Sequence, residues 1–166
     1  IMAKFEAQLP TDILEDVDFI ANNSVKIFGG MTRAGAKVAK QNIENGTRRA
    51  FDGELASKMA SKLKMTRTYE TPSDKGINTK VAFYGYIPRK DGSEVKIKGK
   101  YAYSGVPAPL LAALREYGAS SKGAMPEPFK KYWTKRSFVR PAFEDKGIEQ
   151  VMLKAQKELS GGRLDD

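Results

Sequence analysis

The chain predicts an α+β fold: a long N-terminal helical region, an antiparallel sheet of about three or four strands, and a C-terminal helix packed on that sheet. Three observations predict it. Apolar residues recur at helical spacing over most of the first fifty residues and again over 148–159. Between these stretches the period changes to two, over residues 64–70, 80–87 and 95–103, where β-forming residues concentrate. The length of 166 residues suits one core, and 40% apolar with 10% aromatic residues is an ordinary globular composition.

The first helix is expected over residues 11–28. Thr11 or Asp12 offers an N-cap, and Ile13, Leu14, Val17, Ile20, Ala21 and Phe28 recur near a 3.6 spacing. Gly29 and Gly30 follow; each costs about 1 kcal/mol relative to Ala inside a helix, so a break or kink is expected there. That break divides the chain into an acidic arm at 1–28, one domain at 29–160, and a tail at 161–166 expected to fray. Beyond it, Thr32 can cap a second helix with Ala36, Ala39, Ile43 and Ala50 inward and Arg33, Lys37, Lys40 and Arg48 outward. A short helix over 53–62 turns Leu55, Met59 and Leu63 inward.

Segments 64–70 and 80–87 are expected to pair antiparallel around the turn residues Pro72, Ser73, Asp74, Lys75 and Gly76. A third strand follows Asp91-Gly92, with Val95, Ile97, Tyr101 and Tyr103 on one face and Lys96, Lys98 and Lys100 on the other. A lysine row commonly keeps a sheet edge from pairing with other chains; it suits a DNA path equally. Pro107-Ala108-Pro109-Leu110 opens a short apolar helix that Gly118 should stop. Residues 119–128 are loop chemistry. Pro141 opens a last helix in which Ile148, Val151, Met152, Ala155 and Leu159 form a stripe, ended by Gly161-Gly162.

Composition narrows the chemistry. Cysteine and histidine are both absent, which removes disulfides, thiolate or imidazole metal sites, and the side chains that most often serve as nucleophile and proton shuttle near neutral pH. Carboxylate-only or lysine-based catalysis stays chemically open. Gly29-Gly30 lacks the Gly-Lys-Ser/Thr continuation of a phosphate loop. Glu144 and Asp145 suit the dipole at the start of the last helix without any catalytic task, and Glu116 beside Tyr117 has no partner residue to make an acid site. The expectation is a protein that is not an enzyme and uses no cofactor or metal. No run of about 18 apolar residues predicts a spanning helix. The first residues lack a signal-peptide pattern, so Met2 is expected to be the start residue, Ile1 a leftover of the reading frame, and synthesis cytoplasmic.

Charge is unevenly placed around a net +9. Residues 1–18 hold one Lys against five acids; residues 33–67 hold nine basic residues against three acids, and residues 122–140 six against one. Such a field suits nucleic acid, an acidic protein surface, or the lumen of a DNA-conducting ring, and a merely solvated surface equally. Phe129, Lys130, Lys131, Tyr132, Trp133, Thr134, Lys135 and Arg136 interleave aromatic and basic side chains, as single-strand binders do, although they match no nucleic-acid module. Burial or a subunit interface is the commoner use of a sole tryptophan. Candidate interface or DNA-facing residues are therefore Lys96, Lys98, Lys100, Lys130, Lys131, Trp133, Lys135 and Arg136.

Two segments carry more specific information: Leu114-Arg115-Glu116-Tyr117-Gly118, and Ser137-Phe138-Val139-Arg140-Pro141-Ala142-Phe143. A leucine-rich turn ending in Glu-aromatic-Gly, then a loop with Pro, then Phe-x-Arg-Pro-Ala-Phe, resembles the head–tail joining or neck proteins of long-tailed phages. This tail-completion family is often described as minor tail components. The matching residues are Leu114, Glu116, Tyr117, Gly118, Phe138, Arg140, Pro141, Ala142 and Phe143, and the small-residue helix at 34–50 with Gly53-Glu54-Leu55 agrees more loosely. Roughly residues 30–160 are covered. The acidic arm, the lysine strand and the long basic loop at 119–136 depart from the family pattern. The resemblance implies a structural virion protein, made in the host cytoplasm, that forms a homo-oligomeric ring around the DNA channel at the head–tail junction or top of the tail. Its partners would be other neck proteins (adaptor, stopper, or tail terminator and tube), with non-specific DNA contact in the channel and no membrane. A ring needs a heterologous contact, which an acidic arm and a basic body can supply, so residues 1–28 are expected to reach a neighbour. Within the motif, Gly118 would stop one helix, Pro141 preset the next, Phe138 and Phe143 anchor that helix to the sheet, and Arg140 pair with Glu116. The competing reading is a basic nucleic-acid-binding accessory protein.

Overall fold

The computed structural model describes residues 10–73, 75–88, 95–97, 101–103, 105–124 and 129–164. Helix α1 spans Thr11–Ala50 without interruption, a rod of roughly 60 Å. The break expected at Gly29-Gly30 is absent. These glycines sit where other elements press against α1: a Cβ on Gly30 would lie 2.2 Å from Leu159 Cδ1, and one on Gly35 would lie 2.8 Å from Met152 Sδ. Their propensity cost is offset by close approach. Thr32 accordingly caps nothing; its hydroxyl donates to the Gly29 carbonyl at 3.2 Å and meets Thr79 Oγ1 at 3.1 Å. Pro10, not Thr11 or Asp12, occupies the N-cap position, with no side-chain cap.

Helix α2, Gly53–Lys62, follows, with Ala56 and Met59 buried. The segments expected to pair do so in part, as one interrupted hairpin: the start of 80–87 pairs with the start of 64–70, while Tyr86 and Ile87, expected in the same strand, pair elsewhere. Strand β1 (Leu63–Met65) pairs antiparallel with β4 (Val81–Phe83), and β2 (Tyr69–Glu70) with β3 (Ile77–Asn78). Gly85, at φ +75°, then turns the chain into a second hairpin. There β5 (Tyr86–Ile87) pairs with β8 (Val106–Pro107), and β6 (Val95–Ile97) with β7 (Tyr101–Tyr103). Two corrections follow. The stretch expected as a single third strand is a strand pair, with Val95 opposite Tyr103 and Ile97 opposite Tyr101. The expected sheet of three or four strands is instead a set of two-stranded ladders, because each strand of two or three residues finds its partner in its own hairpin.

Helix α3 is Ala108–Tyr117, started by Pro107 and Pro109 and stopped at Gly118 with φ +86°. A 3-10 turn at Lys122–Ala124 lies in the loop, and another at Lys130–Tyr132 follows it. The last helix is split: α4 is Arg140–Phe143, and α5 is Lys146–Ser160, capped by the Asp145 carboxylate on Gly147 N–H at 2.8 Å and ended by Gly161 in the left-handed region. Helix α5 packs antiparallel along α1 rather than on the sheet. Gly30 and Gly35 open a trough on α1 for Leu159 and Met152. The tail does not fray at once: residues 161–164 turn back, and Arg163 reaches Asp16 at 2.7 Å with its guanidinium 4.1 Å from the Phe19 ring centre.

The core lies where the C-terminal half of α1 meets α2, α3, β4 and the 129–142 segment. Phe51 is at its centre, edge-on to Tyr132 (5.1 Å) and Phe138 (5.8 Å), and Phe138 also meets Phe83 at 6.1 Å.

Candidate interaction surface

Helix α3 buries Ala108, Leu111, Ala112, Arg115 and Glu116, positions i, i+3, i+4, i+7 and i+8. Two of its core-facing positions are therefore charged, and each must be satisfied. Arg115 donates from Nε to the Ala50 carbonyl (2.9 Å) and from Nη1 to the Thr134 carbonyl (2.9 Å), over the Tyr132 ring at 5.4 Å. It ties the end of α1 to the 129–136 stretch. Sequence reasoning named Arg115 but gave it no role; its place on the buried face of an otherwise apolar helix was the available signal.

Glu116 is 4% exposed, and its carboxylate accepts four hydrogen bonds: from the Ser137 hydroxyl (2.5 Å) and from the backbone N–H of Phe138 (2.7 Å), Val139 (2.8 Å) and Arg140 (3.1 Å). These donors open α4, so Glu116 acts as a cap delivered from another helix. Burial pushes its pKa up, but the bonds from Ser137 and the three N–H groups outweigh this and hold it below the ordinary carboxylate value. The expected Arg140–Glu116 ion pair does not form. Arg140 gives Glu116 only its backbone N–H, and its guanidinium pairs with Glu144 at 3.3 Å in the open. Removing that guanidinium by Arg140→Ala is expected to change stability by less than about 0.5 kcal/mol, read by denaturant unfolding.

The rest of the motif divides. Phe138 and Ala142 are buried and Leu114 packs on the core, but Tyr117 is 77% exposed and Phe143 53% exposed. Phe143 is therefore not the buried anchor expected: it stays half in the open, at the rim of a depression shared by α1, α5 and Asn78, Thr79 and Val81. Pro141 is exposed within the first turn of α4.

The aromatic-basic stretch also divides. Phe129 and Tyr132 belong to the core. Lys131 pairs with Asp52 at 2.7 Å, which lowers the Asp52 pKa and raises its own, and the Tyr132 hydroxyl donates to the same carboxylate at 3.3 Å. Trp133, Lys135 and Arg136 remain exposed, and Lys130 is half-buried. Lys96 stands in β6 opposite Ala102, while Lys98 and Lys100 lie outside the described residues. Among the described residues, these candidates form no single basic stacking platform.

Two further features escaped the sequence. Asn42, Asn45, Arg49, Arg136, Ser137 and Asp145 line a groove of about 530 Å³ between α1 and the 136–145 segment, bridged by the Asn42–Asp145 hydrogen bond at 2.8 Å. On the N-terminal half of α1, Ile13, Leu14, Val17, Val25 and Phe28 are all exposed. Among the described residues, no three His, Cys, Asp or Glu side chains cluster as a metal site, and no helix is long and apolar enough to cross a membrane. Comparison with protein-family models, with curated proteins and with solved structures returned no match.

Proposed function

We propose that this chain is a structural virion protein of the head–tail connector, neck or tail-completion type, working as a homo-oligomeric ring around the DNA channel at the head–tail junction or top of the tail. The observation that carries the reading is the closure of the two resembling segments on each other. Glu116 of the first holds Ser137, Phe138, Val139 and Arg140 of the second, so the residues that carry the resemblance form one physical unit. A unit of this kind builds a scaffold and leaves partner choice to the surfaces around it. The exposed apolar face of α1 supports an assembly role as well, since large exposed apolar patches mark contacts with other macromolecules.

The basic nucleic-acid-binder reading is weakened by the burial of Phe129 and Tyr132 and by the Lys131–Asp52 pair, which leave Trp133 as the exposed ring of the stretch. Light scattering and negative-stain imaging of the concentrated chain separate the readings. Closed rings are expected. A persistent monomer that binds random DNA with steep salt dependence would replace the ring reading with the binder.

A further inference from the structure

Along α1 the residues Val17, Phe28, Ala39 and Ala50 recur every eleven positions, three helical turns apart, and so share one face. Leu14, Val25 and Ala36 recur with the same spacing beside them. Ala36, Ala39 and Ala50 are buried in the core, whereas Leu14, Val17, Val25 and Phe28 are 47%, 56%, 61% and 41% exposed. The stripe is thus one continuous core-type face, covered by the body over its C-terminal half and open over its N-terminal half.

We propose that this open face seats on the basic aromatic patch around Tyr117 and Trp133 of a second copy of the chain; the proposal rests on the ring reading and names its subunit contact. Four observations select that occupant. First, the open half of α1 is acidic: Asp12, Glu15 and Asp18 are exposed, and Asp16 is held by Arg163. Two such faces packed on each other would bring like charges together, which disfavours a symmetric pairing of α1 with itself.

Second, the patch carries the opposite charge and exposed rings. Tyr117 is 77% and Trp133 38% exposed, and their backbones run side by side: Ala119 N–H donates to the Trp133 carbonyl at 2.9 Å, and Gly118 lies against Lys135. Lys135 and Arg136 flank them in the open, while the nearby carboxylates are taken, Asp52 by Lys131 and Glu116 by the α4 cap. Exposed Trp and Tyr beside Arg are the residue types that dominate interface energetics.

Third, the apolar patch at Phe143 and Leu153 fits worse: it borders a depression lined by Glu144, Asp145 and Glu149 against one cation, Lys146, an excess of negative charge facing the acidic half of α1. Fourth, one copy cannot satisfy itself. The patch is fastened to the C-terminal end of α1 through Arg115 and Ala50, and the open stripe lies at the N-terminal end of the same rod. The contact therefore joins two different surfaces of successive copies, the head-to-tail geometry that a ring requires.

The chain contains no cysteine, so introduced thiols report the contact without background. Val17→Cys and Tyr117→Cys copies, mixed and treated with a short flexible bismaleimide, are expected to cross-link into dimers, and neither variant alone is. A copy carrying both substitutions is expected to give a ladder. Val17→Asp and Trp133→Ala are expected to weaken self-association on the order of tenfold or more each, with unchanged circular dichroism, and salt is expected to weaken it further. Oligomers in which Val17→Cys copies link to one another and never to Tyr117→Cys would overturn this contact and leave the ring reading intact. A chain that stays monomeric at every concentration would overturn both.

Discussion

Glu116→Gln is expected to destabilise the protein by about 3 kcal/mol, on the scale of losing charge-assisted hydrogen bonds in a buried site. The amide offers one acceptor oxygen where the carboxylate offers two, and its NH2 group would face N–H donors. One acceptor oxygen would remain, so either the Phe138 and Val139 N–H groups or the Ser137 hydroxyl and the Arg140 N–H would lose their acceptor at the start of α4. For a chain of this size the loss corresponds to roughly 10 °C in melting temperature, measurable by thermal or denaturant unfolding. A pH series supplies an independent readout. The folded-state pKa of Glu116 lies below its ordinary value of 4.5, so the stability it supplies is present above that value and is lost as pH falls through the folded pKa. The Gln variant should therefore show a flatter acid limb than the parent. A Glu116→Gln protein that melts within a degree of the parent would refute the capping role.

Phe51→Ala is expected to cost more, about 4 kcal/mol, the usual range for emptying a buried phenylalanine site. Phe51 is 1% exposed and stands edge-on between Tyr132 and Phe138, where α1 ends and both halves of the C-terminal segment converge. The vacated space cannot be closed by one neighbour, because Tyr132 is held through its hydroxyl by Asp52 and Phe138 by the Glu116 cap on its N–H. Trp133, the sole tryptophan, follows Tyr132 directly, so its emission should shift along with the unfolding midpoint. A loss below 1 kcal/mol would show that the aromatic cluster repacks freely.

The α+β class, the existence of helices and the antiparallel pairing between the starts of segments 64–70 and 80–87 were legible, since each rests on a local period or a turn cluster. The α5 stop at Gly161 and the α3 stop at Gly118 were legible for the same reason. What failed depended on tertiary contact. Gly29 and Gly30 read as a break because propensity alone cannot register Leu159 and Thr68 pressing on them. Residues 95–103 are a different case: their alternation reads as one strand, and the local signal of a reversal, Gly99 at the centre, was overlooked. The expected Arg140–Glu116 side-chain pair does not form: Arg140 gives Glu116 a backbone N–H, and its guanidinium goes to Glu144. Arg115 was readable from its i+7 position on a buried face and was overlooked, because a charge beside another charge looks like surface.

The unbroken course of α1 has a rotational consequence. A helix advances about 100° per residue, and nothing between Leu14 and Ile43 relaxes that phase. The direction in which the N-terminal end presents its apolar side is therefore set by how Ile43 and Ala50 lie in the core. A flexible tether would let neighbouring bodies adopt many orientations. In the proposed ring, α1 would transmit the azimuth and tilt of each body to the neighbour its far end grips, so the curvature of the ring would be encoded in the packing of a single subunit.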